Sequence, residues 1–420
     1  MSPEPAAVWP VFIFDGACGI CREWVDYWKQ LTAGRVDFRP YQDAAAGYPQ
    51  IPRAEFERSV QLVEPDGTVR SGADATFALY RGTFPQGALP FFYRWLPGFA
   101  RASEFFYGFL SKRRGLLARL THLCWGKAFQ PVRYEFTSWL FLRLLGLIYL
   151  AAFVSFGIQA QGLIGSEGVL PVAGYLDALE ARFGRAAWYY APTLLWLYPG
   201  DPAITGLWAA GCVMSILLVA NLATRVALPL LFVLYLSVYY AGQAFMTFQW
   251  DLLLLETGFL AIFLPRGAPV VVWLYRWLAF RFMFLGGAVK IVSRDPTWDN
   301  LTALQYHFET QPLPTVAAWF AHHLPAGILS AGVAATLVIE LLVPFLIFAP
   351  RRFRMFAAAC FILLQLMIVL TGNYNFFNLL TLCVCLFLFD DAALGSVLPA
   401  GLRRRVVRDA PAASRAGKTV

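Results

Sequence analysis

Two groups of residues in this 420-residue chain have types and spacing that could do chemistry. The first is Cys18-Gly-Ile-Cys21. Val11–Phe14 is a short apolar run ending at Asp15-Gly16, which reads as a strand followed by a turn. Trp24, Val25, Trp28 and Leu31 then recur at helical spacing. This pattern puts the first cysteine at a helix N-terminus, where free N–H groups and the helix dipole stabilise a thiolate. The second cysteine lies about one turn further on, within disulfide reach. In that arrangement Cys18 attacks and Cys21 resolves, and Cys18 is expected to be the more exposed thiol. Half of a zinc site and inert thiols are the alternative uses of the pair. No second CxxC or paired histidine follows at metal-ligand spacing.

The second group lies in residues 248–263, FQWDLLLLETGFLAIF, an apolar stretch carrying Asp251 and Glu256. A carboxylate in a membrane helix costs roughly 2.5–3.5 kcal/mol and usually faces a bundle interior or cavity. The available cationic partners are Arg276, Arg281, Lys290 and His307. Counted along antiparallel helices, Glu256 and Arg281 both fall about eight residues, or ~12 Å, below the same surface. Arg276 falls near the level of Glu340. The expected pairs are therefore Glu256–Arg281 and Arg276–Glu340. Further polar signatures sit between the apolar runs: Asp295-Pro-Thr-Trp298, His307-Phe-Glu309, His322-His323 and Asn373-Tyr-Asn375. The candidate site of this region comprises Asp251, Glu256, Arg281, Lys290, Asp295, Trp298, His307, Glu309, Asn373 and Asn375. Adjacent histidines diverge, so His322-His323 is not expected to hold a metal. No cofactor is expected, because the chain carries no haem pair or nucleotide fingerprint.

The elements that hold these groups follow from composition. The chain is 59% hydrophobic and 14% charged, with mean hydropathy +0.56. A soluble domain has nearer ~25% charged residues, so this is a polytopic membrane protein. The net charge of +8 raises nucleic acid as a partner. However, the basic residues fall where membrane topology needs them, and membrane lipid is the expected partner instead. Residues 1–10 lack the basic and apolar regions of a signal peptide. Spans are expected at 136–158, 203–222, 226–244, 248–264, 269–289, 326–349, 355–371 and 374–390. With eight crossings the basic clusters at 112–133, Arg225, Arg266, Arg351-Arg-Phe-Arg354 and Arg403-Arg-Arg405 share one side, the cytoplasm. Both termini are then cytoplasmic, in a multi-pass cell membrane protein of the bacterial inner-membrane kind. Leu176, Leu179 and Phe183 read as a helix on the outer surface.

Residues 1–110 read as a soluble α/β domain. Residues 36–39 form a strand, residues 59–63 and 68–70 a hairpin about Glu64-Pro-Asp-Gly67, and residues 73–80 a helix starting near Ser71 or Asp74. Residues 111–135 are a basic, aromatic linker, 136–390 the membrane domain, and 391–420 a cytoplasmic tail. The aromatic and basic stretch from residue 85 suits either a headgroup surface or docking helices of the soluble domain.

Phe14-Asp15-Gly16-x-Cys18-x-x-Cys21 and Gly72-Ala-Asp74-Ala resemble the DCC-type thiol-disulfide oxidoreductase family over roughly the first 110 residues. That resemblance implies a thioredoxin-like fold, dithiol chemistry at Cys18 and Cys21, and a thiol redox partner. One departure is that no proline directly precedes the strand starting at Ser59, where thioredoxins place one. FQWDLLLLETGFLAIF, GGAVKIVSRDPTW, HFETQPLP and TGNYNFFNLL, with the stretch from Trp319 to Pro325, are similar to the lipase maturation factor family across about residues 130–390. This implies a multi-pass protein assisting the folding of secreted lipases, with an exported client as partner. Residues 286–298 resemble, more weakly, the membrane domain of vitamin K-dependent carboxylases, which implies a base at Lys290.

The expected fold class is thus an α/β thioredoxin-like N-terminal domain followed by an all-α membrane bundle of about eight transmembrane helices. Three functions fit it: a maturation factor with a cytoplasmic thiol-disulfide oxidoreductase domain, an intramembrane enzyme acting on a lipid or quinone, and a non-catalytic scaffold. A cytoplasmic CxxC cannot directly oxidise an exported protein; it exchanges electrons with a partner in a reducing compartment.

Overall fold

The computed structural model describes residues 9–126, 129–264 and 268–397. Lys127, Arg266 and Arg403-Arg-Arg405 of the basic clusters, and most of the 391–420 tail, lie outside the described residues. The chain divides into two compact units, the first holding Met1–Val132 and the second most of the chain from Arg133 onward.

In the first unit, β1 (Val11–Phe14) is followed by α1 (Gly19–Thr32), β2 (Asp37–Pro40), β3 (Gln61–Val63) and β4 (Val69–Ser71). β1 is apolar throughout because both of its faces are covered. Phe12 and Phe14 pack with Val25, Trp28 and Ala75 on one side. Val11 and Ile13 pack with Ile51 and Phe56 on the other. The sheet order is β2-β1-β3-β4, with β1–β2 parallel and the other two pairings antiparallel. The expected hairpin forms β3 and β4. At its tip Gly67 takes a φ of 84°, and Asp66 accepts from the Thr68 N–H at 2.9 Å.

The unit extends beyond residue 110. After α2 (Gly72–Ala78) come α3 (Phe99–Lys112) and α4 (Arg114–Trp125). Ser71 makes no side-chain cap on α2. Glu104 of α3 accepts from the Ala73 and Asp74 N–H groups instead, at 3.1 and 3.2 Å. A carboxylate there satisfies orphan donors and complements the helix dipole. Tyr107 accepts from the Val60 N–H, and Thr121 of α4 accepts from the Trp24 indole. The basic, aromatic segment thus docks on the α/β unit, while Phe91, Trp95, Phe105 and Phe106 stay exposed.

The second unit is helical. Its main elements are α5 (Glu135–Gly157), α6 (Asp201–Val219), α7 (Thr224–Ala241), α8 (Gln249–Ile262), α9 (Pro269–Val292), α10 (Ala303–Thr310), α11 (Ala326–Leu341), α12 (Arg351–Thr371) and α13 (Phe377–Cys385). Among the described residues six helices are long and apolar enough to cross a membrane: α5, α6, α7, α9, α12, and α11 continued as a 3-10 turn to Phe348. The other two expected spans are shorter. α8 has 14 residues, about 21 Å of helix, against a hydrocarbon thickness of ~30 Å. The apolar segment Phe377–Leu388 is shorter still. The helix expected around Leu176 forms as Val172–Phe183 and buries Val172 and Leu176.

The N-terminus of α5 is capped from far along the chain. Asp391 accepts from the Glu135, Phe136 and Thr137 N–H groups at 2.9, 3.2 and 2.9 Å. α5 and α6 pack closely because Gly211 leaves room for the Phe153 ring, which a Cβ there would meet at 2.4 Å. The bundle core is built on three fully buried tyrosines, Tyr149, Tyr235 and Tyr275.

Candidate functional site

The dithiol site grows from the turn between β1 and α1. Cys18 is the N-cap of α1, and its sulfur accepts from the Cys21 N–H at 3.3 Å. This is the position the sequence assigns it. Cys18 and Cys21 are joined as a disulfide with their Cα atoms 5.2 Å apart. Their exposure is the reverse of the expectation. Cys18 is buried at 7%, while Cys21 is partly open. Cys18 caps the helix with its sulfur against the first turn, whereas Cys21 opens on a cavity. Cys21 lines a cavity of about 430 Å³ walled by Trp24, Trp28, Phe77, Tyr80 and Trp125.

Asp15 anchors the turn. It accepts from Arg114 at 2.5 Å, Gln42 at 2.8 Å and the Ala17 N–H at 3.0 Å. Burial works against its charge, but the bonds from Arg114, Gln42 and Ala17 outweigh it and hold the carboxyl below the usual range.

The second unit gathers most of the other candidates around one cavity of about 890 Å³ between α8, α9, α10, α11, α12 and α13. Glu256, Arg281, Lys290, Asp295, Trp298 and His307 all line it. Glu256 and Arg281 form the expected ion pair. The pair expected between Arg276 and Glu340 does not form. Glu340 binds Lys290 at 2.6 Å instead. Arg276 donates to the Tyr134 hydroxyl and, at 3.2 Å, to the Phe387 carbonyl. The depth count misplaced Glu340: it packs at Gly287, where a Cβ would lie 2.8 Å from the Glu340 Cβ, and Arg276 is about 16 Å away along α9.

Lys290 also donates to the Gly286 carbonyl at 3.1 Å and lies 5.1 Å from the Trp298 ring centroid. Asp295 caps the short helix that carries Trp298, accepting from the Thr297 N–H at 2.9 Å. Burial, and then the charge of Lys290, push the His307 imidazole below its ordinary pKa, so it is neutral at neutral pH.

Four candidates lie elsewhere. Asp251 is 1% exposed in the bundle core, where it accepts from the Tyr235 hydroxyl at 2.6 Å. Glu309 reaches His322 at 3.7 Å. Asn373 accepts from the Asn375 N–H at 3.2 Å, and Asn375 takes a φ of 54°, so this pair shapes a turn. The residue between them, Tyr374, lines the cavity.

Sequence reasoning passed over Gln365 and Asn378. Both are buried cavity residues, joined by a hydrogen bond of 2.7 Å. The available signal was a polar side chain inside each of two apolar helices.

Comparison with known proteins finds a family match for each of the two halves of the chain. The DCC1-like thiol-disulfide oxidoreductase family matches residues 12–120. The lipase maturation factor transmembrane domain matches residues 136–396. The chain is 45% identical over 290 residues to Lipase maturation factor 2 of Gallus gallus, covering 63% of this chain and 40% of that protein. Identity to Lipase maturation factor 2 of Homo sapiens is 42% over 305 residues, or 65% and 43% of the two chains. For Lipase maturation factor 1 of Bos taurus it is 39% over 289 residues, or 63% and 51%. The match thus spans about half or less of each relative's length. No solved structure matches.

Proposed function

The chain belongs to the lipase maturation factor family, and from that premise we propose that it assists the maturation of exported proteins, lipases among them, while its thioredoxin-like domain exchanges disulfides with a thiol partner. The observation that carries the redox part is a disulfide with one sulfur held at a helix N-terminus and the other opening on an aromatic cavity. The strand order and the DCC1-like match support the thioredoxin-like reading.

The exchange follows from the two environments. A partner thiolate attacks the open Cys21 sulfur. The S–S bond breaks and its electron pair passes to Cys18. There the Cys21 N–H and the helix terminus hold the thiolate, which makes Cys18 the better leaving group. The partner's second thiol gives up its proton and attacks the partner sulfur of the mixed disulfide. Cys21 leaves as a thiolate and takes a proton. The partner is oxidised by two electrons and this domain is reduced; a second disulfide partner restores it by the reverse steps.

The domain is read as cytoplasmic. The basic clusters share one side only if α8 and the Phe377–Leu388 segment cross as well, which short helices do by thinning the bilayer. The test is partner capture in cells by single-cysteine variants. Cys18→Ser should hold mixed disulfides on Cys21 that reductant releases, and Cys21→Ser should hold few. Absence of a captured partner from both variants would reject the exchange.

A further inference from the structure

The Glu256–Arg281 pair has an exposure that its place in the helices does not explain. Glu256 stands mid-way along α8 and Arg281 mid-way along α9. Yet the side chains are 44% and 39% exposed, and both open on the 890 Å³ cavity. The second ion pair of that cavity, Lys290–Glu340, is far more enclosed, at 21% and 11%. Charges this open cannot face hydrocarbon, because each would cost several kcal/mol, so a polar group must meet them.

The pair also limits what that group is. Both partners are open to a similar degree, so an anion at Arg281 meets the Glu256 carboxylate as well, and a cation at Glu256 meets the guanidinium. The acidic side chains around the cavity are Glu256, Asp295 and Glu340 and the basic ones Arg281 and Lys290, with His307 held below its ordinary pKa. There is no cationic excess to draw in an anion. A ligand carrying one charge of each sign satisfies both ends. Part of the remaining wall is apolar, formed by Leu252, Leu285, Val289, Leu364 and Ile368, and part is polar, with Gln365 and Asn378. The volume lies within the range of roughly 300–1,000 Å³ found for small-molecule sites.

We propose that this cavity binds a zwitterionic phospholipid, with its phosphate at Arg281, its ammonium group at Glu256, and an acyl chain along Leu252 and Leu364. The site depends on the membrane character of the second unit and not on the dithiol chemistry, so either can fail without the other.

The test uses the full chain in nanodiscs of equal parts phosphatidylethanolamine and phosphatidylglycerol, followed by detergent extraction and quantification of retained lipid by mass spectrometry. Retained phosphatidylethanolamine should exceed phosphatidylglycerol roughly tenfold, which is about 1.4 kcal/mol of preference. The Glu256→Gln/Arg281→Gln double variant leaves no unpaired charge and should elute as the folded protein with the preference abolished. Leu252→Trp, which fills the apolar arm without touching a charge, should lower retention of both lipids. Equal retention by the parent, preference for the anionic lipid, or an unchanged preference in the double variant would overturn the proposal.

Discussion

Asp15 and Arg114 stand 99 positions apart in the chain, and their side chains meet at 2.5 Å. This contact ties α4 to the cysteine-bearing turn. It also accounts for part of the depression of the Asp15 pKa, against the opposing effect of burial. A carboxylate with a lowered folded pKa contributes stability that is fully present above its unfolded value of 3.8 and is lost as pH falls through the folded value. Arg114→Gln should cost about 1 kcal/mol at neutral pH, a modest figure because Arg114 is 42% exposed. Urea unfolding of the 1–132 fragment should show this difference shrinking as pH falls below 3.8. A difference that stays constant across that range would remove Asp15 as the cause.

The two ion pairs of the membrane cavity should differ in cost. Glu340→Gln leaves Lys290 enclosed without its partner, a loss of roughly 3–5 kcal/mol for a buried pair. Glu256→Gln leaves an arginine with access to the cavity and should cost about 1 kcal/mol. Arg281→Gln added to Glu256→Gln should recover part of that loss. The check is the yield of monodisperse protein and its thermal midpoint in detergent. Equal effects of the two glutamine variants would mean that exposure does not set the cost.

Gly258 on α8 faces the buried hydroxyl of Tyr149, and a Cβ there would lie 1.8 Å from the phenol oxygen. Gly258→Ala should therefore destabilise the bundle by about 1–3 kcal/mol, the usual cost of overpacking. Tyr149→Phe removes the oxygen but leaves the ring carbon at 3.0 Å, so the double variant should recover only part of the loss. Thermal unfolding of the three proteins measures it, and a Gly258→Ala protein as stable as the parent would refute the contact.

Membrane sidedness is open to direct measurement. With the first unit in the cytoplasm, a cysteine placed at Thr310 should label with an impermeant maleimide in intact cells. One placed at Gly67 should label only after lysis. The opposite pattern would invert the topology and place the disulfide in an oxidising compartment.

The sequence by itself determined the features that local physics controls. A strand, a turn and an apolar helical stripe around Cys18 placed that sulfur at a helix N-terminus, because N-caps are defined by the residues directly after them. Long apolar runs marked the membrane helices, because the cost of unpaired backbone and charge in lipid acts on every span separately. Glu256 and Arg281 were matched from depth alone, because both helices share one rise per residue.

Tertiary structure decided what depends on how far one helix slides along another and on distant chain. Lys290, not Arg276, meets Glu340, because α11 packs so that Glu340 lies at Gly287, about 16 Å along α9 from Arg276, which donates to a carbonyl and a phenol instead. The cap of α2 comes from Glu104 and that of α5 from Asp391, because an orphan N–H accepts any nearby oxygen whatever its sequence distance. The order of exposure at the dithiol also belongs here: burial of a sulfur is set by the elements packed over it, and none of those lies within the four residues of the motif.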